Sequence, residues 1–186
     1  MEQGVWQQVV AAVQKDMEEP IGYVPLGIWM AFVILGVGLV IWLLWDQEKR
    51  SPFPWKKAGI LFLLVVYGVV LIQLAFFSRE PGSRIGLDLT FGDTWGTTPW
   101  EHAFFIENVI MFVPFGILVS MLSRRLGIWK VTLLGCLSSC MLEGMQYVTQ
   151  RGFCQLDDVV TNTAGALIGA CVITGVRWMF GLGRKS

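Results

Sequence analysis

The sequence predicts an all-α membrane protein: a polytopic bundle of about five transmembrane helices behind a short N-terminal surface helix. Three observations predict it. Hydrophobic residues make up 54% of the chain and charged residues 15%, where a soluble domain has about a quarter charged. Mean hydropathy is +0.60. The charges gather in short connecting stretches, and the apolar runs between them approach the ~20 residues that a helix needs to cross a bilayer core. A soluble globular domain is thereby excluded. The 14 basic and 14 acidic residues cancel, so no basic field favours nucleic acid.

Along the chain, Val5, Val9, Ala12 and Val13 recur at helical spacing within residues 2–19 and predict a short helix lying on the membrane surface. The competing reading is a frayed polar terminus. Met1 to Glu19 has no apolar signal-peptide core or cleavage motif. Pro20, Gly22 and Pro25 are expected to break this helix, which sets residues 1–23 apart from a transmembrane domain at 24–186. The predicted crossings are Val24–Trp45, Ala58–Phe77, Ala103–Leu122, Ile128–Val148 and Val159–Phe180. Asp46–Lys57 is a polar loop with two prolines. Ser78–His102 is too long for a structureless connection of the usual ~12–15 residues, so a short covering helix is expected in it.

Basic residues set the expected orientation. Lys49, Arg50, Lys56 and Lys57, then Arg124, Arg125 and Lys130, then Arg177, Arg184 and Lys185 fall on one side of five crossings. The positive-inside rule makes that side cytoplasmic, with the amino terminus outside and the carboxyl terminus inside. Trp42, Trp45, Trp55, Trp129 and Trp178 then lie near the inner interface, and Trp95, Trp100 and Tyr147 near the outer one.

Polar residues within apolar helices are costly and mark candidate sites. Glu107 and Asn108 open the third crossing. Glu143 and Gln146 share a face near the end of the fourth, and Asp158 and Asn162 share a face at the start of the fifth. Arg151 and Asp157 lie between. All fall at the predicted outer end, so a polar pocket opening to the outer leaflet is expected. Each residue also has a structural reading. Glu107 suits the positive end of its helix, and Asp157 or Asp158 can cap the last helix. Glu143, about five residues from its helix end and roughly 7–8 Å deep, needs a partner, for which Arg151 is the expected cation. Gln146 and Asn162 can tie helices together.

Pro114 removes a backbone bond to the Ile110 carbonyl, which predicts a kink and a free acceptor facing the pocket. Gly165 and Gly169 have the spacing of close helix packing. Cys136, Cys140, Cys154 and Cys171 form no motif and read as small hydrophobes. His102 by itself cannot build a histidine-rich zinc site, and no phosphate loop, nucleophile elbow or metalloprotease motif is present. No metal or cofactor is expected.

These polar positions have an order. Glu107-Asn-Val-Ile-Met-Phe-Val-Pro-Phe-Gly116 is followed by Leu142-Glu-Gly-Met-Gln146, then Arg151, then Asp158-Val-Val-Thr-Asn162-Thr-Ala-Gly165 and Gly169. The series resembles the VanZ-like family of bacterial membrane proteins, whose pattern is Asn before Phe-x-Pro-x-Gly, Glu-x-x-Gln, Arg, and Asp-x-x-x-Asn-x-x-Gly-x-x-x-Gly. It covers residues 107–170, about a third of the chain. The resemblance implies family positions at Asn108, Pro114, Gly116, Glu143, Gln146, Arg151, Asp158, Asn162, Gly165 and Gly169. It also implies a multi-pass protein of the bacterial plasma membrane and a link to resistance against teicoplanin, a lipoglycopeptide that acts on peptidoglycan precursors outside the cell.

The leading expectation is a binding protein. Its pocket of Asn108, Glu143, Gln146, Arg151, Asp158 and Asn162 would engage the lipoglycopeptide or a lipid-linked cell-wall precursor. The alternative is a membrane enzyme in which Glu143 and Asp158 act as acid and base or hold a divalent cation.

Overall fold

The computed structural model describes residues 2–45, 52–82, 86–92 and 95–181. Its helices are α1 (Glu2–Asp16), α2 (Glu19–Leu44), α3 (Trp55–Ile72), α4 (Pro99–Leu122), α5 (Ile128–Thr149) and α6 (Leu156–Met179). A π-helical turn, Gln73–Phe77, extends α3. Two short strands, β1 (Leu87–Asp88) and β2 (Cys154–Gln155), pair in parallel. Gly4–Leu44, Trp55–Phe77, Pro99–Leu122 and Leu156–Met179 are long and apolar enough to cross a membrane. The expected fourth crossing, which is α5, has 22 residues, about 33 Å of helix. It is less apolar because Ser139, Glu143 and Gln146 lie on it, and all three are buried inside the bundle. Lys49, Arg50, Arg184 and Lys185, used above to assign sides, lie outside the described residues.

Local chemistry explains where the helices start. α2 begins at Glu19, earlier than expected, and runs through Pro25. Pro20 sits in its first turn, where a missing N–H costs nothing, so it starts a helix here instead of ending one. α4 begins at Pro99 under a capping box. The Thr98 hydroxyl accepts from the Glu101 backbone N–H at 3.4 Å, and Glu101 Oε2 accepts from Thr98 N–H at 2.8 Å. α6 starts at Leu156, with Asp157 and Asp158 in a first turn whose partial positive charge favours them.

The chain packs around α4, which touches α1, α3, α5 and α6, while α2 packs on α3. α1 lays Val9 and Ala12 against Ala103 of α4 and leaves Trp6 and Val10 exposed. Further along, Phe112 meets Leu71 and Ala166, and Val119 meets Val131 and Ala170. The α4–α6 seam is the closest. A Cβ on Gly165 would strike the Val109 carbonyl, one on Gly169 the Val113 carbonyl, and one on Gly116 the Ala166 carbonyl. Three glycines on two helices therefore bring the backbones into contact, which is how small residues join helices without a hydrophobic driving force.

The stretch after the π-helical turn lacks the short covering helix expected in it: its described residues up to Thr98 hold no α-helix. It is pinned instead. Cys154 N–H donates to the Gly86 carbonyl at 3.0 Å, Leu87 pairs with Cys154 and Asp88 with Gln155, and Gly92 N–H donates to Asp157 Oδ1 at 2.8 Å. The Thr90 backbone and hydroxyl both donate to Asp88 Oδ1 and hold that carboxyl below its ordinary range.

Candidate functional site: a polar cavity at one end of the bundle

The two ends of the bundle differ. One carries Arg124, Trp129, Arg177 and Trp178 around a cavity of about 770 Å³, and Arg177 Nη2 donates to the Ser120 carbonyl at 2.5 Å near the end of α4. The opposite end holds a polar cavity of about 350 Å³. α4 contributes Glu107 and Asn108, α5 contributes Glu143 and Gln146, and α6 contributes Asp158 and Asn162. Arg79, Ser78 and the α1–α2 junction at Asp16 and Glu19 complete the wall.

Asn108, Glu143, Asp158 and Asn162 are each held by an identifiable partner. Asn108 Nδ2 donates to Asp158 Oδ1 at 2.7 Å and bridges α4 to α6. Asn162 Nδ2 donates to Ser139 Oγ at 2.9 Å and bridges α6 to α5. Glu143 Oε2 accepts from Gln155 N–H at 3.0 Å, in the strand that pins the long loop. Two acceptors remain. Glu107 Oε1 and Asn162 Oδ1 are buried and have no hydrogen-bond partner among the described residues. Buried acceptors are almost always paired, so these two lack the donor that their burial calls for. The nearby Cys154 thiol is pushed up by burial and then by the Glu143 and Asp158 charges. Among the described residues, no three His, Cys, Asp or Glu side chains gather as a metal site.

Five of the six residues expected in the pocket line this cavity: Asn108, Glu143, Gln146, Asp158 and Asn162. Arg151 does not. Its Nη1 donates to the carbonyls of Phe76 at 2.8 Å and Arg79 at 3.2 Å, and its guanidinium lies 5.8 Å from the Phe77 ring centroid. The expected Glu143–Arg151 pair is therefore not formed. Just beyond α3, the Phe76 carbonyl, which also accepts from the Arg79 N–H at 3.2 Å, and the Arg79 carbonyl hold Arg151 instead. Gln146 does the same work one residue earlier, donating from Nε2 to the Ala75 carbonyl at 3.1 Å.

The cation on the cavity wall is Arg79, whose charge reaches both Glu143 and Asp158. Gly152 makes room for it: a Cβ there would lie 2.8 Å from Arg79 Nη1 and 3.2 Å from Gln146 Cδ. Sequence reasoning missed Arg79 because it sits just beyond the apolar run of α3 and looks like a loop charge. Ser139 was also missed, although it lies one turn before Glu143 on the same face.

Two further expectations are corrected. Asp157 is not the cap of α6. The N-cap is Gln155, without a side-chain cap bond, and the buried Asp157 carboxylate serves the Gly92 N–H of the distant loop. Pro114 and Ile110 both lie on an exposed face of α4 away from the cavity, so the carbonyl freed by the proline does not serve the pocket. A different carbonyl at this level, that of Met111, accepts from the Tyr67 hydroxyl at 3.0 Å.

Comparison with known proteins identifies the family. The sequence model of the VanZ/LLP1 family matches residues 22–178, which include every residue of the α4–α6 constellation. Protein VanZ of Enterococcus faecium is 33% identical over 114 residues, covering 58% of this chain and 68% of that protein. No solved structure matches. The polar constellation thus sits within the matched span, on α5 and on two helices long and apolar enough to cross a membrane, α4 and α6, and the chain belongs to the VanZ/LLP1 family.

Proposed function

We propose that this VanZ-family protein is a multi-pass protein of the bacterial plasma membrane whose polar cavity opens to the outer leaflet. There it binds the polar part of a lipid-bearing envelope ligand, either the lipoglycopeptide teicoplanin or a cell-envelope lipid, and so contributes to antibiotic resistance. The observation that carries this reading is the pair of unpartnered buried acceptors, Glu107 Oε1 and Asn162 Oδ1, on the wall of one cavity. Hydroxyl or ammonium donors of a sugar or peptide match them, and Arg79 offers a cation to an anionic group in the same space. Asn108 and Gln146 are tied to protein partners and hold the walls in place.

Drug susceptibility tests this reading. Wild type, Glu143→Gln and Asn162→Leu are expressed at equal membrane levels in a sensitive Gram-positive host, and teicoplanin is compared with vancomycin. Selective teicoplanin protection by the wild type, lost in both variants, is the expected result. No protection by the wild type moves the ligand to a native envelope lipid.

One observation favours a second reading. Glu143 and Asp158 line the same cavity, and the Arg79 charge reaches both. Such a pair suits acid–base chemistry on a lipid-linked substrate. Incubation of the purified protein with lipid extract from the host envelope, read by mass spectrometry, tests it. A product formed by the wild type and not by Glu143→Gln favours the enzyme.

A further inference from the structure

Behind the π-helical turn, away from the polar cavity, an apolar groove of about 670 Å³ runs between α3 and α5. Leu71, Phe115 and Leu142 line it, and the exposed thioether side chains of Met141 and Met145 border it. Along α5 it extends from Ser138 to Thr149, which is about 16 Å of helix. One leaflet of a hydrocarbon core is about 15 Å deep. The groove therefore spans one leaflet, and methionine side chains adapt to chains of varied shape.

Its charged end identifies the occupant. Arg151 lies at the helix-end mouth and is the only charged residue among those described that line the groove. Nη1 makes both of its hydrogen bonds to carbonyls, so Nη2 and Nε are left for a ligand. Among the described residues no carboxylate lines the groove beside it; Glu143 is engaged by Gln155 and lines the other cavity. A guanidinium held in place over Phe77 suits a phosphate.

We propose that this groove is a lipid site: it holds one acyl chain of an anionic phospholipid, with the lipid phosphate on the Arg151 guanidinium. The inference adds a second site and does not depend on what the polar cavity binds.

The test uses the purified full chain in detergent, native mass spectrometry, and two probes with the same chains, dioleoyl phosphatidylglycerol and dioleoyl phosphatidylcholine. Both lipids carry the phosphate, but the choline cation of phosphatidylcholine opposes the Arg151 guanidinium, so the wild type retains phosphatidylglycerol on the order of tenfold better, the effect of one unit of net headgroup charge. Arg151→Gln brings phosphatidylglycerol down to the phosphatidylcholine level. Gly68 lines the groove, and a Cβ on it meets nothing within 4 Å, so Gly68→Phe adds a ring at an uncrowded position of the groove and removes both lipids. Equal retention of the two lipids by the wild type overturns the proposal, as does wild-type retention of phosphatidylglycerol by Gly68→Phe. Arg151 also satisfies the end of α3, so Arg151→Gln can fail to accumulate; the headgroup comparison and Gly68→Phe still decide. Drug susceptibility plays no part in this readout, so failure here and failure of the cavity reading are separate results.

Discussion

Asn108 Nδ2 lies 2.7 Å from Asp158 Oδ1, and this one bond joins α4 to α6 across 50 residues of sequence at the rim of the polar cavity. Replacing Asn108 by Leu leaves the Asp158 carboxylate without its donor in a poorly solvated place. The expected cost is about 1.5–3 kcal/mol, the range for hydrogen bonds to charged groups. Thermal unfolding in detergent measures it, and an unchanged midpoint means that the bond contributes nothing.

The glycine seam predicts a contrast. Gly165→Ala and Gly169→Ala each push a methyl into a backbone carbonyl of α4, and overpacking of this kind costs about 1–3 kcal/mol. Gly144→Ala, on α5, meets nothing within 4 Å and is expected to be neutral or slightly stabilising. Equal losses at all three positions would show that the α4–α6 contact is not special.

Glu143 and Arg151 are predicted to be energetically independent. They touch different partners, so a double-mutant cycle of Glu143→Gln and Arg151→Gln should give a coupling below about 0.5 kcal/mol. A buried ion pair, when broken, typically costs about 3–5 kcal/mol. A coupling of that size would restore the pairing that the sequence suggested.

Cys154 reports on the cavity charges. Its thiol titrates above the ordinary range because of burial and the neighbouring Glu143 and Asp158 carboxylates, so less thiolate is present at neutral pH and maleimide labelling is slow. With the other cysteines replaced by Ser, the labelling rate rises with pH. Glu143→Gln and Asp158→Asn shift that curve to lower pH, because each removes a charge that opposes the thiolate. Coincident curves for all three proteins would sink this account.

Asp157 is expected to act on a distant loop. Asp157→Ala frees the Gly92 N–H and should speed proteolysis between residues 78 and 98, with the helices left intact. Cleavage kinetics unchanged from the wild type would place the anchoring in the β1–β2 pair alone.

The sequence by itself determined the helices and the end of the bundle that carries the chemistry. Backbone groups in an apolar phase must bond within their own segment, so long apolar runs become helices whatever surrounds them. The intervals from Glu143 to Gln146 and from Asp158 to Asn162 put each pair on one helix face, because helical geometry is local. The order of the polar residues was enough to name the family.

The tertiary structure alone decided who bonds to whom. Arg151 reaches back 75 residues to the Phe76 carbonyl, and Gln146 reaches back 71 to that of Ala75. Asp157 holds a glycine 65 residues earlier, and Arg79 joins the cavity from beyond the end of α3. None of these follows from spacing. A buried charge must find a partner, but opposite charge is only one way to satisfy it. Where α3 ends in its π-helical turn, the Phe76 and Arg79 carbonyls hold Arg151 while the Gln155 N–H holds Glu143, so packing settled the choice.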